Sequence, residues 1–292
     1  MTVALDLRPR GPYSLALTAR LASDATRTFR DGVLTAVIDG RIVQAWQRPD
    51  GAIEVRAESE EVVPCLRFVL ALDDDHSEFL RRFADDELLR EPIRQLRGLR
   101  VLRTPTVAGA LLRALCGQLI QSRHAYELER AIVRATSPRR AGWLREPPTR
   151  ESLRVYSPAK LRALGLHARR GATLARLCES LDLERLRELP IEAAAARLLR
   201  ERGVGPWSVG VVALQGLGSY ERGLVGDLGL IKLCSALRGH WVDAEETAEL
   251  LEPYGEWAGL AGVYLLFGFG RGLIPLPNGS RPTRRSRSRR AA

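Results

Sequence analysis

Strand-like and helix-like spacing are segregated along this chain, and that segregation constrains its fold more than any other feature. Residues 13–57 carry β-branched and aromatic residues with partial alternation, in YSLALTARL, VLTAVI, RIVQAW and AIEVRA. Turn signals separate them at Asp31-Gly32, Asp39-Gly40 and Pro49-Asp50-Gly51. From about residue 60 onward the apolar residues recur at helical spacing. The expected fold class is α+β, with a small N-terminal antiparallel sheet followed by an all-α bundle. The expected units are a mixed sheet-and-helix domain over 1–100, a helical domain over 101–274 and a disordered basic tail over 275–292. No internal repeat is evident.

Helix starts are well marked. Thr104-Pro105 supplies a cap and a first-turn proline ahead of VAGALLRALCGQLI, and Ser157-Pro158 does the same ahead of AKLRAL. Asp243 and Glu246 have the spacing of a capping box. The stretch from Ser137 to Arg150, rich in proline and arginine, reads as a loop.

Composition narrows the function. The chain has 292 residues, and no apolar run approaches the roughly 20 residues of a membrane span. Met1 to Arg10 lacks the apolar core of a signal peptide, so a cytoplasmic location is expected. Cys65, Cys116, Cys178 and Cys234 are scattered through apolar runs and read as buried small hydrophobes. Of the net charge of +10, six arginines in Arg281 to Ala292 account for more than half and leave +4 for the body. A polyanionic partner fits this balance without being demanded by it.

The most informative segment is residues 198–217, LLRERGVGPWSVGVVALQGL. A helix runs into Gly203-Val204-Gly205, and Pro206 restarts a helix at its first position. The paired glycines permit a sharp turn and expose N–H groups at the second helix start, which is where phosphate binds favourably. Val204 would fill the gap between the helices. An ordinary helical corner with a glycine cap fits these residues equally well. Twenty residues past Trp207, Gly226-Asp227 opens LGLIKLCSAL, with Asp227 as its cap. Backbone donors and the positive helix end favour a charged carboxylate there; a plain capping aspartate is the alternative.

Together, Gly203-Val204-Gly205-Pro206-Trp207-Ser208 and Gly226-Asp227 resemble the hairpin and aspartate signature of the helix-hairpin-helix DNA glycosylase superfamily, in particular its bacterial 3-methyladenine DNA glycosylase II (AlkA) type. Leu111 to Ser122, Leu161 to Leu177 and Tyr13 to Gly32 agree, so the resemblance covers residues 10–272. It implies a monofunctional enzyme of base excision repair that flips an alkylated base out of double-stranded DNA and hydrolyses its N-glycosidic bond. Asp227 is then the catalytic residue. Gly203, Val204, Gly205, Trp207 and Ser208 would bind DNA phosphate. The position that holds a lysine nucleophile in lyase relatives is Trp207 here, and Lys232, one turn past Asp227, would serve packing or phosphate contact.

The resemblance further implies a base pocket of Trp207, Tyr264 and Trp257, whose aromatic faces would prefer a cationic base. For Trp257 and Tyr264, core packing is the alternative. Leu119 would be the wedge that fills the vacated stack, with Gln118 beside it. His124 is read as structural or as a phosphate contact. No iron–sulfur cluster is expected, while a monovalent cation is allowed on backbone carbonyls from Arg202 to Gly205. The expected partner is damaged duplex DNA, with no membrane, and a nucleoid-associated monomer is the expected form. Other readings are a glycosylase for deaminated or other damaged purines, and a non-catalytic protein that binds damaged DNA.

Overall fold

The computed structural model describes residues 3–118 and 122–277, leaving aside the side chain of Ser122. The α+β expectation is borne out. Five antiparallel strands, β1 (Val3–Leu7), β2 (Arg27–Arg30), β3 (Val33–Ile38), β4 (Arg41–Gln47) and β5 (Ile53–Ala57), pair in the order β1-β5-β4-β3-β2. The turns predicted at Asp31-Gly32 and Asp39-Gly40 join β2 to β3 and β3 to β4 as two-residue connections. Both residues of each turn have positive φ, a geometry that matches the twist of an antiparallel pair. Buried positions alternate along β4 and β5, so Val43, Ala45, Ile53 and Val55 line one face.

One expectation for this region fails. Tyr13 to Leu21 is not a strand: Ser14 Oγ accepts the N–H of Leu17 and starts helix α1 (Leu15–Ala19). Leu15, Thr18 and Ala19 are its buried residues, a spacing that belongs to a helix. The fifth strand comes instead from Val3–Leu7, which pairs with β5 from Val3↔Ala57 to Leu7↔Ile53.

The helices that follow are α2 (Val63–Val69), α3 (Ser77–Arg82), α4 (Arg90–Gln95), α5 (Val107–Gly117) and α6 (Ser122–Thr136). After a small hairpin of β6 (Arg139–Ala141) and β7 (Leu144–Arg145) come α7 (Arg150–Arg154), α8 (Pro158–Ala163), α9 (Ala168–Ser180) and α10 (Ile191–Leu199). Then follow α11 (Pro206–Val212), α12 (Leu228–Arg238), α13 (Ala244–Leu251) and α14 (Ala258–Gly270). The caps at Ser157 and at Asp243 with Glu246 form as expected. At α5 the cap is Thr106 rather than Thr104, because Thr106 Oγ1 accepts from Gly109 N at 3.0 Å. Glu184 then closes the helix tip by accepting from Val107 N and Ala108 N. The stretch from Ser137 to Arg150 is less irregular than predicted, since it holds β6 and β7.

Two apolar cores form. One lies under the sheet, between its buried face and residues of α1 and α2 such as Leu15 and Leu66. The other is helical, and it takes in Phe79, Phe83, Leu89, Ile93, Leu96 and Leu99. In packing, α3 and α4 join the C-terminal helices, and the core under the sheet runs to Leu72 along the chain. Ile274 is buried and Leu276 packs on the helical core, so the chain stays anchored a few residues into the expected tail. The remainder of that tail, residues 278–292, lies outside the described residues.

Candidate active site

The hairpin forms between α10 and α11. Glu201 N bonds Leu198 O, and Val204 N bonds Glu201 O at 3.0 Å. Gly203 takes φ +93°, the left-handed region that favours glycine, and a methyl group there would lie 2.5 Å from Thr173 Oγ1. Val204 is buried between the helices. Gly205 caps α11 without a side chain, Pro206 follows at the first position, and nothing lies within 4 Å of a carbon added at Gly205. The first N–H groups of α11 thus have no intrahelical partner.

A close approach of backbones brings the hairpin to Asp227. A carbon added at Gly210 in α11 would sit 2.4 Å from Gly223 O, so α11 rests directly on the loop leading to α12. Thr247 Oγ1 accepts from Gly226 N at 2.7 Å and steadies that loop. Asp227 then caps α12: its Oδ1 accepts the Gly229 N–H at 2.7 Å. The other oxygen, Oδ2, accepts the indole N–H of Trp207 at 2.9 Å. Both Asp227 and Trp207 are half-buried, so the carboxylate is neither lost in the core nor free in solvent.

The remaining expected residues are placed as follows. Gln118 ends α5, and its Nε2 donates to Gly203 O and to Ser208 Oγ, each at 2.9 Å. This ties the end of α5 to the hairpin. Ser208 is itself buried. Leu119 lies outside the described residues. Lys232 and His124 are exposed.

Tyr264 and Trp257 are not brought to Asp227. Tyr264 is fully buried, with its hydroxyl facing the Leu96 and Leu99 carbonyls at 3.2 and 3.3 Å and its ring 5.2 Å from Phe79. Trp257 packs among His76, Phe79 and Tyr220. The reason is helical geometry, since residues two apart on α14 point about 200° from one another. The α14 side chain that reaches the helix tip is Leu266, whose Cδ2 lies 2.4 Å from where a carbon on Gly229 would stand. Sequence reasoning missed Leu266, and the half-buried stripe Val263, Leu266 and Phe267 was the signal that could have found it. It also missed Gly117, which lies against the Trp207 ring.

The carbonyls from Arg202 to Gly205 differ in what they leave open to a monovalent cation. Arg202 O already accepts from Thr173 Oγ1 at 3.0 Å and from the Arg176 guanidinium at 2.6 Å, which fills both lone pairs. Gly203 O is held by Gln118, and Gly205 O accepts from Val209 N.

A sheet domain fused to a helical bundle, with a glycine hairpin set against a helix-capping aspartate, defines the architecture of a helix-hairpin-helix protein. Comparison with known proteins agrees. The chain is 28% identical over 239 residues to a DNA-3-methyladenine glycosylase of Bacillus subtilis, covering 78% of this chain and 75% of that one. It is 30% identical over 249 residues to a Mycobacterium tuberculosis protein described as "Probable bifunctional transcriptional activator/DNA repair enzyme AlkA", and spans 50% of that relative's length. A 3-methyladenine DNA-glycosylase from Archaeoglobus fulgidus shares the fold, with a TM-score of 0.79 at 22% identity over 91% of this chain and 98% of that one. No protein-family model matches the chain. In sequence the chain is thus similar to DNA-3-methyladenine glycosylases, and in fold to a solved glycosylase of that kind.

Proposed function

We propose that this chain is a monofunctional DNA glycosylase that removes alkylated bases from duplex DNA and leaves an abasic site. The observation that carries the reading is Asp227: a carboxylate at a helix tip, with a donor on each oxygen, bonded to the first turn of the hairpin's second helix. The name of the Bacillus relative supports an alkylated base as the substrate.

The chemistry follows from the bond to be broken. Loss of the base develops positive charge on the deoxyribose, and a fixed anion beside the sugar stabilises that transition state. Asp227 supplies the anion. The hairpin amides at Gly205, Trp207 and Ser208 would hold a backbone phosphate next to it, through unpaired donors and the helix dipole. Leu119, on resemblance, is proposed as the wedge that fills the gap left by the flipped nucleotide. Lyase chemistry needs an amine nucleophile in the hairpin, and the residue there is Trp207; Lys232 is exposed on α12. Among the described residues no helix is long and apolar enough to cross a membrane, and a chromosomal substrate would place the protein at the nucleoid.

The direct test incubates the protein with methylated duplex DNA and identifies released free bases by mass spectrometry. Release of 3-methyladenine with an unbroken backbone is the expected result. Strand cleavage without added base, or no released base from any methylated, deaminated or oxidised duplex, would overturn the reading.

A further inference from the structure

The end of α1 joins the sheet domain to the helices that carry the site. Its start is seated on the turn after α4, where Ser14 N donates to Gly98 O at 2.8 Å. Leu15 and Ala19 go into the core under the sheet, while Leu17 packs on the helical core. Arg20 stands one turn past Leu17 on the same side of the helix, and its guanidinium carbon is 5.8 Å from the centre of the Phe267 ring on α14. Phe267 follows Leu266, the side chain that covers Gly229 at the tip of α12. The residues after Arg20 are pinned as well. Arg130 of α6 donates through Nε to Ser23 O at 3.1 Å, and Arg113, one turn before Gly117 on α5, bonds Asp24. Arg20 is thereby held on the rim of the site by contacts with α14, α6 and α5.

We propose that the sheet domain takes a direct part in DNA binding through Arg20, which receives a backbone phosphate of the damaged strand at the rim of the site, a role that rests on the reading of the chain as a DNA glycosylase. Arg20 is exposed, and among the described residues it forms neither an ion pair nor a hydrogen bond. The other arginines of this junction are committed, Arg27 and Arg113 to Asp24 and Arg130 to Ser23. Phe267 restrains the Arg20 guanidinium by cation–π attraction and uses none of its N–H groups. That leaves a charged, pre-placed fork of donors, which matches a phosphate in two parallel bonds. A phosphate contact carries no sequence information, which suits an enzyme that must act wherever damage falls. Arg56 offers the contrast. Its guanidinium lies 5.0 Å from the centre of the Trp46 ring. On β5, however, it alternates with the buried Ile53, Val55 and Ala57, and so belongs to the opposite face of the sheet, away from α1.

The test uses the full chain and a duplex carrying a stable abasic analogue, with affinity followed against salt. Arg20→Gln should weaken binding about tenfold at low salt and reduce the slope of log affinity against log salt by about 0.9, the value of one phosphate contact. Arg20→Lys keeps the charge and should restore the slope while recovering only part of the affinity, since an ammonium lacks the fork. Arg56→Gln should leave both quantities at their wild-type values. Each substitution replaces an exposed side chain and should leave the fold intact, which circular dichroism and thermal unfolding check. A folded Arg20→Gln with the wild-type slope and affinity overturns the proposal. So does an equal fall of slope in Arg20→Gln and Arg56→Gln, the mark of a general charge effect. A wild-type slope with an altered ranking of released bases overturns it too, because Arg20 would then read the base and not the phosphate. If wild type releases no base but the slope falls in Arg20→Gln alone, the functional reading fails while the phosphate contact stands.

Discussion

Arg113 on α5 donates to Asp24 across the junction of the two cores, Nη2 to Oδ2 at 2.7 Å. The same guanidinium bonds Glu129 on α6 and, through Nη1, Gln215 Oε1, while Asp24 also accepts from Arg27 and Thr26. Burial alone would raise the Asp24 carboxyl, but Arg27, Arg113 and Thr26 outweigh it and hold it well below the usual carboxylate range. A carboxyl depressed in the fold contributes stability above its unfolded value near pH 4, and that contribution is lost as pH falls further. Asp24→Asn should therefore cost about 3 kcal/mol in urea unfolding at pH 7, the scale for removing one partner of a buried pair. The loss of stability below pH 4 should be shallower in the variant than in wild type.

His76 gives a second pH dependence at higher pH. Burial, together with the positive charges of Arg100 and Arg103, pushes its imidazole down to about 3. The fold holds it neutral while the unfolded chain takes up a proton below about pH 6.5. Stability should thus fall as pH drops from 6.5, by up to about 1.4 kcal/mol per pH unit from this group. His76→Gln should flatten that stretch of the stability profile, read by thermal or urea unfolding at pH 5 and pH 7.

Asp227→Asn keeps the size of the cap and removes the charge. Its excision rate should fall at least 100-fold, a loss of about 2.7 kcal/mol of transition-state stabilisation. Binding to abasic duplex should change little. Near wild-type turnover in the variant would remove Asp227 from its assigned place.

The two faces of α14 should respond differently. Tyr264→Phe deletes a buried hydroxyl that faces two backbone carbonyls, and should cost about 1 to 2 kcal/mol of stability while leaving excision unchanged. Leu266→Ala removes the side chain that covers Gly229, and should lower the excision rate while unfolding stays closer to wild type. Single-turnover kinetics beside urea titration of both variants distinguishes them.

Local signals carried much of this molecule. The two-residue turns at Asp31 and Asp39, the capping box at Asp243, the hairpin at Gly203 and the cap at Asp227 are each written in a few adjacent residues, and the structure forms all of them. What escaped was set by contacts distant in sequence. Residues 13–21 alternate well enough for a strand, and only the cap at Ser14 and packing under the sheet decide for a helix. Val3–Leu7 becomes a strand because β5 offers it an edge. Tyr264 looked suitable for the pocket as an aromatic near the right place, yet facing depends on helical phase, and that phase puts Leu266 at the site. Gly117 has no pattern of its own and is explained only by the ring lying on it.

The seam between the two cores bears on how the chain could be divided. Residues 77–99 are threaded with the front half but complete the interior of the back half, where Phe79 meets Tyr264 and Leu96 and Leu99 receive its hydroxyl. A helical fragment cut at Val101 would leave those aromatic and leucine surfaces bare to water, and should come off the column as a sticky, loosely ordered species. A cut near Asp75 would leave that interior whole.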